Sequence, residues 1–191
     1  MKGIFVLLLA GLSGVSLAED QPFSFKEIPL NSNIEVANSY SQVLCKDMPE
    51  EKKIIGDKQC VYVKPGPYSQ LNPKIGTFGA AAVNSIIMNY VGDTLKAMLV
   101  SVSPDDFTQI VDALKAKYGK PEKIDQEILQ SKGGATYENT ILTWRRGAST
   151  LTARKYFGRV DTSLFKFEMD EYFDEVIRRR NERSKSGTSD L

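Results

Sequence analysis

The chain has 191 residues, with 25 Lys and Arg against 24 Asp and Glu, two Cys and no His. Balanced charge argues against a nucleic-acid partner, whose phosphates favour a clearly basic surface. The lack of His removes Ser-His and Cys-His nucleophile pairs, His acid–base catalysis and most transition-metal sites.

The amino end reads as a targeting segment. Lys2 gives a positive start, Ile4 to Leu12 form an apolar run, and Ser16-Leu17-Ala18 places small residues where a signal peptidase reads them. A signal peptide over 1–18, cleaved after Ala18, is therefore expected, and with it a periplasmic or secreted protein. The apolar run is shorter than the about 20 residues that span a bilayer, and no other segment is long and apolar enough to form a transmembrane span. Glu19 stands where a lipoprotein would carry its lipid-bearing cysteine.

The stretch "PFSFKEIPL" predicts one edge-like strand alternating Phe23 and Phe25 against Ser24 and Lys26 and ending at Pro29. In "NSNIEVANSYSQVLC", Asn31 or Ser32 can cap a helix with Ile34, Ala37, Tyr40 and Leu44 near helical spacing. Cys45 and Cys60 flank a charged loop. In an oxidising compartment the default is one disulfide between them, stabilising by about 3 kcal/mol in the chain-entropy model. Two thiolates without a His do not complete an ordinary zinc site, so neither a metal nor a cofactor is expected. After a short strand "CVYV", the loop "KPGPYSQLNPKIG" is stiffened by proline and carries Tyr68 and Leu71, candidate binding residues because long ordered loops often carry recognition.

"AAVNSIIMNY" and "TLKAMLVSV" predict a hairpin around Val91-Gly92-Asp93. "SPDDFTQIVDALKAKYGKP" follows as a fully specified helix. Ser103 caps it, Pro104 fits its first position, and Asp105 and Asp106 suit its positive end. Phe107, Ile110, Val111, Leu114 and Tyr118 form its apolar stripe, and Gly119 and Pro121 end it. "IDQEIL" reads as a strand, "NTILTWRR" and "STLTARKYF" as a second hairpin around Gly147-Ala148, and "SLFKFEM" as a strand with Phe165, Phe167 and Met169 on one face. "DEYFDEVIRRRNER" is a helix, and 184–191 is expected to be a disordered tail.

The order predicts an α+β fold, a mainly antiparallel sheet with two or three helices packed on one face. Residues 19–183 form one domain, with two tandem α/β halves, 23–102 and 103–169, as a further expectation. A helix ending "ALKAKYGKP" and followed by "ILTW" resembles small bacterial envelope proteins, the SmpA/OmlA-type assembly lipoproteins and the β-lactamase-inhibitor-like tandem α/β domains. The resemblance rests on Leu114, Tyr118, Gly119, Pro121 and Trp144. It implies a helix ending in a Gly-x-Pro turn on an antiparallel sheet, and protein binding without catalysis. No functional residue of those families carries over.

Other signals have plainer readings. Ser163-x-x-Lys166 matches a penicillin-interacting motif only formally, because in a strand residues three apart point to opposite faces. Glu168, Asp170, Glu171, Asp174 and Glu175 could supply a carboxylate pair, but acids at a helix start favour the dipole. Arg145, Arg146, Arg154 and Lys155 could form a basic patch beside one hairpin turn, with Arg145 and Arg146 as further candidate binding residues. The expected function is that of an exported, non-catalytic protein-binding module of the bacterial envelope, an inhibitor, immunity-type or assembly accessory protein. A carboxylate-dependent hydrolase and a carrier of a small apolar ligand are the alternatives.

Overall fold

A computed structural model of the chain describes residues 21–64, 75–131 and 133–188, the last three by backbone alone. The expected signal peptide, Tyr68 and Leu71 lie outside the described residues. In chain order the elements are β1 (Ser24–Phe25), β2 (Ile28–Pro29), α1 (Ile34–Asn38), β3 (Val43–Asp47), β4 (Lys58–Tyr62), β5 (Thr77–Phe78), β6 (Ala81–Val91), β7 (Thr94–Val102), α2 (Phe107–Tyr118), β8 (Lys123–Gln130), β9 (Thr136–Arg146), β10 (Ser149–Arg154), β11 (Ser163–Met169) and α3 (Asp170–Thr188). Nine strands form one antiparallel sheet in the order β3-β4-β6-β7-β11-β10-β9-β8, with β5 paired to β6. The mixed fold and its mainly antiparallel sheet are thus as the sequence predicts.

Alternation along each strand sorts the sheet into two faces. Phe165, Phe167, Val100, Met98, Leu151 and Trp144 point to the inner face, where α1 and α2 cover them and a single core forms. α2 buries Phe107, Ile110, Val111 and Leu114, most of its predicted stripe. Ser103 Oγ accepts from Asp105 N at 3.3 Å, but it caps a 3-10 turn over Pro104–Asp106, and the α-helix proper begins at Phe107. Gly119 ends the helix at φ +81°, and its carbonyl accepts the indole N–H of Trp144 at 2.9 Å.

Three local readings change. "PFSFKEIPL" is a tight hairpin of two-residue strands that turns at Lys26, whose φ is +57°. Phe23, Phe25, Ile28 and Leu30 are therefore all buried, where a single strand would have exposed half of them. α1 is five residues long and capped by Asn33, whose Oδ1 accepts from Glu35 N; the Val43–Cys45 stretch is strand. α3 continues to Thr188, into the tail expected to be disordered. It also departs from the helices-on-one-face expectation. Its Tyr172 hydroxyl meets Asn89, which alternation places on the outer face, and so α3 crosses that face at one end.

Cys45 and Cys60 are directly opposed on β3 and β4 and form the disulfide. Between them the chain makes a 3-10 turn, Glu50–Ile55, closed by Gly56 at φ +146°. A Cβ at Gly56 would lie 2.7 Å from the Tyr90 carbonyl oxygen, so only glycine fits there.

Candidate functional site

The outer face is where chemistry can be presented, because among the described residues α3 covers one end of it. There α3 is fastened by polar contacts. Tyr172 donates to the Ile55 carbonyl at 2.6 Å and accepts from Asn89 Nδ2 at 3.2 Å; burial pushes its hydroxyl pKa up to about 12. Arg179 donates to both Asp57 oxygens, at 2.9 and 3.2 Å, to the Lys53 carbonyl at 2.8 Å and to Glu175 at 2.6 Å. Asp57 also accepts from Gly92 N at 2.7 Å, tying the β6–β7 turn into the same node. The Arg179 hydrogen bonds hold the Asp57 carboxyl below its usual range. Those from Arg178 and Arg179 hold Glu175 at about 2.

Beyond α3, strand registers align side chains across the uncovered face. One row reads Leu44, Val61, Ile87, Leu99, Lys166, Thr152, Thr143, Lys123, one residue from each of the eight strands in path order. Leu44 is 61 % exposed, and Val61, Ile87 and Leu99 are half-buried. Half of the row is thus aliphatic and half polar. At the far end the 155–162 loop folds back onto this face. Asn139, fully buried, fixes it: its Oδ1 accepts from Tyr156 N at 2.8 Å and its Nδ2 donates to the Tyr156 carbonyl at 3.1 Å and to Glu127 at 2.7 Å.

The residues singled out in the sequence are dispersed. Arg145 and Arg146 are neighbours on β9 and therefore face opposite ways. Arg145 lies on the outer face, 3.7 Å from Glu122 and 3.6 Å from Asp170; Arg146 lies on the inner side, 5.8 Å from the Tyr118 ring centre. Arg154 pairs with Ile141 at the opposite end of the hairpin from Gly147, so the four basic residues do not gather at one turn. Four of the five acids around the β11–α3 junction meet different groups: Glu168 meets Lys166, Asp170 meets Thr150, Glu171 meets Lys96, and Glu175 meets Arg178 and Arg179. Ser163 and Lys166 point to opposite faces, and the Ser163 hydroxyl donates to the Lys155 carbonyl at 2.5 Å. Among the described residues no three His, Cys, Asp or Glu side chains are grouped to hold a metal ion, and no helix is long and apolar enough to cross a membrane.

Sequence reasoning missed Asn139, Tyr172 and the aliphatic row. The row has no local signal, because it exists only once eight strands are in register. Asn139 stands between Glu138 and Thr140 in "YENTIL", so nothing in its sequence neighbours marks it. Comparison with known proteins gives no matching family model, no matching curated sequence and no matching solved structure.

Proposed function

We propose that this chain is an exported, non-catalytic binding module that engages a protein partner through the outer face of its sheet. The observation that carries the reading is the aligned row Leu44, Val61, Ile87 and Leu99, contiguous apolar surface left open beside charged neighbours. Exposed apolar patches with polar rims are characteristic of interaction surfaces. The disulfide supports an oxidising destination, in keeping with the signal peptide read in the sequence.

The layout also favours two tandem halves. Residues 23–102 hold a short helix and the path β3-β4-β6-β7; residues 103–169 hold a helix and the path β8-β9-β10-β11, and the final strands of the two pair with each other. A capped helix followed by a four-stranded meander, used twice, is the organisation implied by the resemblance to tandem envelope domains. The bond from Trp144 to Gly119 joins two of the residues that carry that resemblance.

The test is capture from envelope extract with immobilised wild type beside a Leu44→Lys/Val61→Lys double variant. Leu44 is exposed and Val61 half-buried, so circular dichroism beside the wild type checks that the variant keeps its fold. A protein retained by the wild type and lost from the variant is the expected result. Failure of the wild type to retain any protein, or equal retention by both, overturns the reading.

A further inference from the structure

Beside the aliphatic row, where β7, β11 and β10 meet the 155–162 loop, the outer face holds a cavity of about 490 Å3. That is within the size range of small-ligand sites. Its donors lie on two neighbouring strands. Thr152 and Lys166 are directly opposed, and Arg154 is two residues along β10 on the same face. Leu99 is registered beside Lys166, and Leu164 beside Arg154. The Phe157 ring forms the remaining wall and is 47 % exposed.

The wall is fixed before any ligand arrives. Asn139 holds Tyr156 through both backbone groups, Phe157 N donates to the Thr162 carbonyl at 2.9 Å, and Ser163 is bonded to Lys155. An exposed phenyl ring on a fixed support loses little conformational freedom when it is covered, which favours binding. The charges are unequal in their engagement. Lys166 Nζ lies 2.5 Å from Glu168 Oε2. Arg154 is 3.8 Å from Glu127, an ion pair too long for a hydrogen bond, and the same carboxylate oxygen accepts from Asn139. The guanidinium thus keeps N–H donors for an incoming acceptor. Glu127 and Glu168 balance Arg154 and Lys166, so the cavity has no surplus positive charge to offset a dianion, and one carboxylate is the most that its guanidinium can match.

We propose that this cavity binds a small organic monocarboxylate with an aromatic or branched apolar body. Its carboxylate sits on Arg154, with Thr152 and Lys166 as further donors, and its body lies between Leu99, Leu164 and Phe157. Glu168 holds Lys166 in place and rejects a second negative charge. This site does not depend on the protein-binding reading, and it differs from a carrier cavity between sheet and helices because it is on the opposite face.

The test is a methyl-detected NMR titration of the purified protein with phenylacetate, with phenylacetamide and phenyl phosphate as the uncharged and doubly charged comparisons. Saturable shifts of the Leu99 and Leu164 methyls are expected with phenylacetate, and binding at least about tenfold weaker with the other two. Arg154→Gln should weaken phenylacetate by a similar factor, while Arg145→Gln, elsewhere on the same face, leaves it unchanged. Both arginines are well exposed, so neither change threatens the fold. No saturable shift at these methyls up to about 10 mM, amide binding as tight as the acid, or an Arg154→Gln variant that binds normally would each overturn the proposal.

Discussion

Asn139 uses both ends of its amide on Tyr156 and Glu127, and the side chain is fully buried. Removing it orphans two backbone groups of the loop that presents Phe157, and buried unsatisfied groups cost about 1–3 kcal/mol each. Asn139→Ala is expected to lower stability by about 2 kcal/mol in urea unfolding, and to speed amide exchange at Phe157 more than at any α2 residue. Unchanged exchange at Phe157 would show that the loop is held by its own contacts instead. The role is invisible from the residue type: Asn in a strand reads as a surface residue, and only the return of the 155–162 loop supplies its partners.

At the scale of elements, the disulfide joins the first two strands of the sheet, and among the described residues β3 pairs with β4 alone. A Cys45→Ser/Cys60→Ser variant is expected to lose about 3 kcal/mol, with β3 amides losing protection first. Intact-mass measurement of the unreduced protein should give a value two hydrogens below that after reduction, and two free thiols would remove the cross-link from the account. α3 is expected to respond to pH. Glu175 titrates at about 2 in the fold, against about 4.3 in an unfolded chain, and Asp57 is lowered as well. A lowered acid pKa means stabilisation that is complete above the unfolded value and fades as pH falls towards the folded one. Tyr172, raised to about 12 by burial, runs the other way: its contribution is full below about pH 10 and fades as pH rises. Hydrogen exchange should therefore show α3 loosening between about pH 4 and 2 and again above about pH 10. Constant α3 protection across the acid range would mean that the Arg179 node does not hold the helix. Much at this scale was legible. α2 has an unbroken periodicity and a proper terminator, and the β6–β7 hairpin is marked by its Gly92 turn despite two register shifts, whereas the β1–β2 hairpin misled because its turn uses Lys26 rather than glycine at positive φ.

At the scale of the molecule, β7 and β11 form the middle of the sheet, with Val100 opposite Phe165 and Met98 opposite Phe167. Phe165 also touches Phe78 and Phe107, so one side chain joins β5, α2 and both central strands. Phe165→Ala is expected to cost about 3–5 kcal/mol and to destabilise both ends of the sheet together. Far-ultraviolet dichroism and Trp144 fluorescence should then report one coincident unfolding transition. Separate transitions would mean that the two sides of the β7–β11 pair melt independently. Strand types were readable from alternation, but this pairing was not. Nothing in a β-strand's own residues names a partner so far along the chain, and the open outer row and its cavity depend on that partner.

The central pairing also orders events in time. Phe167 lies far along the chain from its partner Met98, so the inward edge of β7 stays unpaired until β11 is available. Contacts of such long sequence separation are slow to form, because the loop between them must close before they stabilise anything. A chain built this way cannot complete its sheet until β11 has joined β7. Until then β3-β4-β6-β7 and β8-β9-β10 have no strand in common, and the last strand, Ser163–Met169, joins them.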